Sequence, residues 1–248
     1  MISKAHIKVV RSLHLQKFRQ IYNKFIVEGG KVCTEFIKKN KFKIEEIYLT
    51  EEGYNKYGAI IEKTRHTYEL ISTKEMDQLS ALKTSADMLM VVQKAEDTHK
   101  LLASSDMSVI YLDDVQDPGN VGTIIRIADW FGIDAVVRSP NSADFFNPKV
   151  VQSTMGSMVN IHLITALLSD LIPYKMPVTG AFMDGVSIHE FAIPSNSILI
   201  MGNEGNGISQ DNIQHIQHKI SIPGAATKQA ESLNVSVATG IICSLWKR

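Results

Sequence analysis

The chain has 248 residues, 26 Lys and Arg against 26 Asp and Glu, and 44% hydrophobic side chains. That length and composition fit one large or two modest globular domains. No apolar run approaches the ~20 residues of a membrane-spanning helix, and the opening Met-Ile-Ser-Lys-Ala-His-Ile-Lys has no signal-peptide layout. A cytoplasmic protein with no membrane partner is therefore expected.

The balanced total hides an asymmetry. Residues 1–50 hold 11 basic and 4 acidic side chains, and residues 1–100 hold 18 against 13. Residues 101–248 hold 8 against 13. A basic N-terminal module on an acidic body is the distribution expected where one part grips phosphates. Lysine-rich helix faces also occur without nucleic acid, so the charge alone decides little.

Taken in order, residues 4–15 mix basic residues with Ile and Val. Phe25-Ile-Val-Glu-Gly is a short apolar run ending in a turn, and residues 31–39 follow at helical spacing with Val32, Phe36 and Ile37 on one side. Strands are predicted at 44–49, 68–71 and 88–92, with a helix at 51–63. The polar stretch 95–106 coincides with the charge change and predicts a domain boundary. From residue 108 strands and helices alternate: a strand at 108–112, a turn, a helix at 120–131, a strand at 135–138 and a helix at 148–157. A short extended piece at 160–163, strands at 177–182, 197–201 and 220–222, and a closing helix at 233–246 follow. This alternation predicts a parallel sheet covered on both faces. Cys33 and Cys243 lack metal or disulfide spacing. His215 and His218 have no third ligand nearby, so a solvated helix face is the expectation and no metal is predicted.

Three stretches, each at the carboxyl end of a predicted strand, carry the candidate chemistry. The first runs from Leu112-Asp-Asp-Val-Gln-Asp-Pro-Gly-Asn to Asp129; Pro118 and Gly119 make the turn, Asn120 is suited to cap the helix, and Arg126 lies within it. Alone, this reads as an ordinary capped helix with a surface arginine. The second, Met201-Gly-Asn-Glu-Gly-Asn-Gly-Ile-Ser209, has three glycines in six residues, which allow backbone to approach a ligand, but it is neither a dinucleotide fingerprint nor a Walker loop. The third is Ile220-Ser-Ile-Pro-Gly224, a polar loop, and Glu231-Ser-Leu-Asn-Val-Ser-Val-Ala, where Ser232 or Asn234 can cap the last helix.

In combination and order, D-x-x-x-D-P-x-N-x-G-x-x-x-R, L-I-M-G-N-E-G-x-G and I-P-x-…-S-L-N-V-S-V-A resemble the three motifs of the SpoU (TrmH-like) branch of the SPOUT RNA methyltransferases, over about residues 108–248. Phe25-Ile-Val-Glu-Gly-Gly-Lys31 resembles the ribosomal-protein L30e-like RNA-binding domain that precedes the catalytic domain in several members. The chain departs from the pattern at Gln152, where relatives often have Arg, at Gly224 in place of Met, and in a longer loop before Ser232. The resemblance implies an α/β fold: a SPOUT parallel sheet with a C-terminal trefoil knot at 107–248, after a small α/β RNA substrate-binding domain at 1–97. It implies S-adenosylmethionine as cofactor, held by Gly202, Asn203, Glu204, Gly205, Ile222 and Leu233, and a homodimer. It also implies methyl transfer to a ribose 2′-hydroxyl, with Arg126 as the central catalytic residue and Asn120, Glu204, Ser232 and Asn234 around it. Lys4, Lys8, Arg11, Lys17, Arg19 and Lys24 become the candidate RNA contacts, with ribosomal RNA favoured over transfer RNA. A SPOUT base methyltransferase and a catalytically silent RNA-binding or ribosome-assembly factor are the alternatives.

Overall fold

The computed structural model describes residues 2–82, 84–104 and 106–247; residues 1, 83, 105 and 248 of the expected domain ranges lie outside the described residues. The chain divides into two compact units, one of residues 1–95 with 144–160, the other of residues 96–143 with 161–248. The segment 144–160, which the sequence places in the methyltransferase half, thus clusters with the N-terminal residues.

The first unit begins with α1 (Lys4–Ser12) and α2 (Gln16–Tyr22), then β1 (Lys24–Glu28), α3 (Gly30–Lys39), β2 (Ile44–Leu49), α4 (Glu51–Lys63), β3 (Glu69–Leu70), α5 (Thr73–Leu79) and β4 (Met88–Gln93). Its four strands pair in the order β1-β4-β2-β3, antiparallel except for β2 with β3. Period-2 alternation along β1 sends Phe25 and Val27 to one face and Ile26 to the other. On the Ile26 side α1 and α5 contribute Ile7, Val10, Met76 and Leu79 to a buried cluster. On the other, Phe25 meets Phe36, Phe42 and Phe146 at ring distances of 6.1, 5.8 and 4.7 Å. Phe146 belongs to the 144–160 segment, so that segment is part of this unit's aromatic core. Helix α5 starts at a capping box: Ser72 accepts from Glu75 N–H, and the Glu75 carboxylate accepts from Ser72 N–H.

In the second unit β5 (Val109–Leu112), α6 (Pro118–Phe131), β6 (Ala135–Arg138), β7 (His162–Thr165), β8 (Val178–Ser187), β9 (Ile198–Met201), α8 (Gln210–Ile213), β10 (His218–Ser221) and α9 (Val235–Trp246) follow one another; α7 (Pro148–Ser153), between β6 and β7, belongs to the first unit. Six parallel strands run in the order β10-β8-β9-β5-β6-β7. The central strands β5, β6 and β9 are buried at every position, as strands covered on both faces must be. The chain moves from β5 to β6 and β7 in one direction, then returns with β9 on the other side of β5. Loops leaving β5 and β9 therefore diverge, which makes this pair the switch point where open α/β sheets bind ligands. His215 and His218 do not share a helix: α8 ends at Ile213, and His218 lies on β10 with its ring 4.8 Å from Phe191. Among the described residues no helix is long and apolar enough to cross a membrane.

Candidate active site

Helix α6 begins two residues earlier than the turn signal suggested. Asp117, not Asn120, is its N-cap, accepting the Asn120 N–H at 2.9 Å, and Pro118 takes the first helical position, where its missing N–H costs nothing. Asn120 is thereby relieved of capping and its amide is spent elsewhere. Its Nδ2 donates to Glu204 Oε1 at 2.7 Å, and its Oδ1 accepts from Asn234 Nδ2 at 3.0 Å. Asn234 is the N-cap of α9: its Oδ1 accepts the N–H groups of Ser236 and Val237 and the Ser236 hydroxyl. Because the cap consumes the Asn234 oxygen, its NH2 must face Asn120, and the Asn120 NH2 must then face the carboxylate. One directed chain of donors therefore joins three sequence motifs that lie up to 114 residues apart.

The glycine-rich loop after β9 is closed on itself. Asn203 and Gly207 exchange backbone hydrogen bonds at 2.9 Å, and Gly207 sits at φ +68. A Cβ on Gly202 would lie 2.4 Å from the Gly207 carbonyl carbon, so only glycine allows this closure. The Asn203 Oδ1 accepts from Gly205 and Asn206 N–H, while its Nδ2 donates to the Asp114 carbonyl at 2.8 Å. Asp113, only 2% exposed, receives the Ser209 N–H at 2.7 Å, tying the far end of the loop to β5. The sequence reading missed Asp113 and Asp114 as loop anchors; the Asp-Asp pair directly after a buried strand was the available signal.

Arg126 lies exposed on α6, about two turns past the helix start, and makes no hydrogen bond or ion pair among the described residues. Ser232 and Leu233 are exposed in the stretch 223–234, and Ile222 is half-buried just beyond β10. The structure thus joins Asn120, Glu204 and Asn234 by hydrogen bonds; among the described residues Arg126, Ser232, Ile222 and Leu233 make no hydrogen bond to that chain. Of the cysteines, Cys243 is buried on α9 and its thiol is pushed up to about 12 by desolvation, so it is no nucleophile at neutral pH. No group of three or more His, Cys, Asp or Glu among the described residues is placed to hold a metal ion.

In the first unit Lys4, Lys8, Arg11 and Lys17 are exposed, and Lys24 is paired with Glu45. Arg19 is a correction. It is 1% exposed: Nε and Nη2 donate to Asp144 Oδ2 at 3.1 and 2.9 Å, and Nη1 donates to the carbonyls of Leu13 and His14. Its charge is spent inside the fold and is not available to RNA.

A closed glycine loop beyond β9 and an amide–carboxylate chain that joins it to the starts of α6 and α9, at the switch point of a parallel sheet, are the arrangement of an α/β protein that binds a ligand at the carboxyl edge of its strands. The pattern of the SpoU rRNA Methylase family matches residues 107–244, and that of the MRM3-like substrate binding domain matches residues 4–105. The 23S rRNA (guanosine(2553)-2'-O)-methyltransferase RlmP of Bacillus subtilis is 31% identical over 95% of this chain and 93% of its own length. A TrmH-family protein from Porphyromonas gingivalis has a solved structure that superposes with a TM-score of 0.85 at 34% identity, covering 100% of this chain and 98% of that one. The AviRb methyltransferase of Streptomyces viridochromogenes, solved with AdoMet, shares the fold at a TM-score of 0.86 and 21% identity, over 98% and 97% of the two chains. This chain belongs to the SpoU rRNA methylase family.

Proposed function

We infer that the protein transfers the methyl group of S-adenosylmethionine to a ribose 2′-hydroxyl of ribosomal RNA, acting in the cytoplasm. The observation that carries this reading is the Asn234–Asn120–Glu204 chain at the switch point, with an unpaired arginine on the same helix as Asn120. The names of the B. subtilis relative and of RlmB from Neisseria meningitidis, 27% identical over 85% of this chain and 89% of its own length, support the ribose and the ribosomal substrate.

The residues present fit the cofactor. The closed loop of Gly202, Asn203, Glu204 and Gly205 leaves Glu204 and Gly205 exposed, and the half-buried Ile222 just past β10 and Leu233, 49% exposed, add apolar side chains to its polar backbone. That is the donor set an adenosyl group requires. The bound sulfonium supplies an activated methyl group, which leaves the chain its task at the nucleophile. Guanidinium groups keep their charge throughout the physiological range. Arg126 therefore stabilises the alkoxide that develops on the ribose and orients the adjacent phosphate, and the hydroxyl proton leaves to water or a phosphate oxygen. Glu204, fixed by Asn120, and Ser232 position the ribose; Asn234 holds Asn120. Residues 1–97 serve as the RNA-binding domain, with Lys4, Lys8, Arg11 and Lys17 on phosphates, and residues 107–248 as the methyltransferase, its trefoil knot formed by the C-terminal segment.

A homodimer belongs to this reading. Helices α6 and α9 pack together and leave an apolar groove of about 390 Å³ lined by Ile127, Val237, Gly240 and Ile241, with Val237 52% exposed and Trp130, on the same helix as Ile127, 83% exposed. Exposed apolar faces of this kind mark sites where proteins associate. The test is a calorimetric titration with S-adenosylmethionine and S-adenosylhomocysteine. One site per subunit is the expected result. No heat with either ligand, with RNA present and absent, would overturn the reading.

A further inference from the structure

A groove of about 620 Å³ runs between α3 and α4 of the first unit, lined among others by Lys31, Glu35, Lys38, Lys56, Tyr57 and Met155. Lys31, Glu35 and Lys38 recur at i, i+4 and i+7 along α3, which places them on one face of that helix. Tyr57 is seated by a missing side chain: a Cβ on Gly30 would lie 2.0 Å from the tyrosine Cζ. Gly30 is the first residue of α3, and its missing side chain makes room there for a ring. The third wall comes from the 144–160 segment. Met155 holds a left-handed backbone at φ 52 and is 47% exposed, and its neighbour Gly156 abuts α3, where a Cβ would meet the Glu35 side chain at 3.0 Å.

The charges of the groove are not equally committed. Lys56 is held by Glu52 and Asp87. Lys38 lies 2.9 Å from Glu35, but both side chains are more than a third exposed, so the pair is weak and readily exchanged. Lys31 is exposed and has no acidic partner among the described residues. Two available ammonium groups, an aromatic ring and a polarisable thioether in one open groove match the way single strands are held, with cations tracking the backbone and flat faces taking bases. A duplex offers no unstacked base to such a groove and would be gripped over a convex row of cations. Lys4, Lys8 and Arg11, at i, i+4 and i+7 on α1, are such a row.

We propose that the α3–α4 groove seats a single-stranded segment of the RNA substrate, with phosphates at Lys31 and Lys38 and a base against Tyr57 and Met155. This rests on the RNA-methylating reading above and adds to the candidate contacts of α1 and α2 a second site within the first unit. The test uses the full-length protein with a fluorescent mixed-sequence RNA single strand and, separately, a blunt RNA duplex, each over a range of salt. For Lys31→Gln/Lys38→Gln, single-strand affinity falls about tenfold and the slope of log affinity against log salt flattens by about 1.4, at roughly 0.7 for each phosphate no longer neutralised. Tyr57→Ala weakens the single strand at least about fivefold, whereas Tyr57→Phe binds like the parent. Melting temperature and S-adenosylmethionine affinity stay at parental values in the lysine variant, whose altered side chains are exposed. An unchanged single-strand affinity and slope in that variant would overturn the groove assignment alone. An equal loss for the duplex would overturn the single-strand occupant. A parent protein that binds neither RNA would overturn both this proposal and the reading it rests on.

Discussion

Arg19 of the first unit and Arg126 of the second both sit on helices with a mixed apolar and polar sequence, and they end in opposite states. Arg19 is buried, bound through two nitrogens to Asp144 and through a third to two carbonyls. Arg126 is exposed and, among the described residues, has no anion at all. A cation that the fold has already neutralised is architecture, whereas one left exposed without a counterion is available to a ligand's charge. The same contrast separates the polar networks of the two units. In the first, ionic and aromatic groups of 144–160 are sealed into a core. In the second, Asn120, Glu204 and Asn234 reach from three motifs to one exposed point, where they orient each other without being buried.

The largest effect that would sharpen this contrast is on stability. Arg19→Ala leaves the Asp144 carboxylate buried without its partner and is expected to cost about 3–5 kcal/mol, read from the urea midpoint. The paired change Arg19→Met/Asp144→Leu should recover most of that loss, because the charge is then removed along with its partner. If Arg19→Ala were as stable as the parent but bound RNA with a flatter salt slope, the two arginines would not differ as described. A smaller effect separates the two duties of Asn234. Asn234→Ala removes the α9 cap and the link to Asn120, and is expected to cost about 1 kcal/mol together with turnover. Asn234→Ser keeps the cap but cannot donate to Asn120 as the amide does, so the parental urea midpoint should return while turnover stays low. Recovery of both properties in the serine variant would show that the link to Asn120 is idle.

Much of the second unit was legible because its signals are local. Buried strands β5 and β9 read as unbroken apolar runs, the glycine loop after Met201 is unmistakable, and the order and spacing of the three motifs along the chain carried the resemblance. What was not legible depended on distant contacts. Asn120 looks like a helix cap until Asp117 is seen to accept its N–H and Pro118 to occupy the first turn. Arg19 looks like one more surface cation, since its partner lies 125 residues away. The placement of 144–160 was hidden for the same reason: Phe146 has no sequence neighbour that announces Phe25 and Phe42. Helix α5 was missed although Ser72 and Glu75 form a capping box, because seven residues carry too little periodicity to stand out.

The unpaired arginine of α6 is, on this reading, the group that acts on the ribose hydroxyl. The measurement that bears on it most directly is single-turnover methyl transfer to ribosomal RNA by Arg126→Ala, with product nucleosides identified after digestion. The expected result is a fall in rate of at least about a thousandfold, no change in melting temperature or S-adenosylmethionine affinity, and a 2′-O-methyl nucleoside as the parent's product. A variant that transfers methyl groups at near-parental rate, or a parent that places its label on a base, would contradict it.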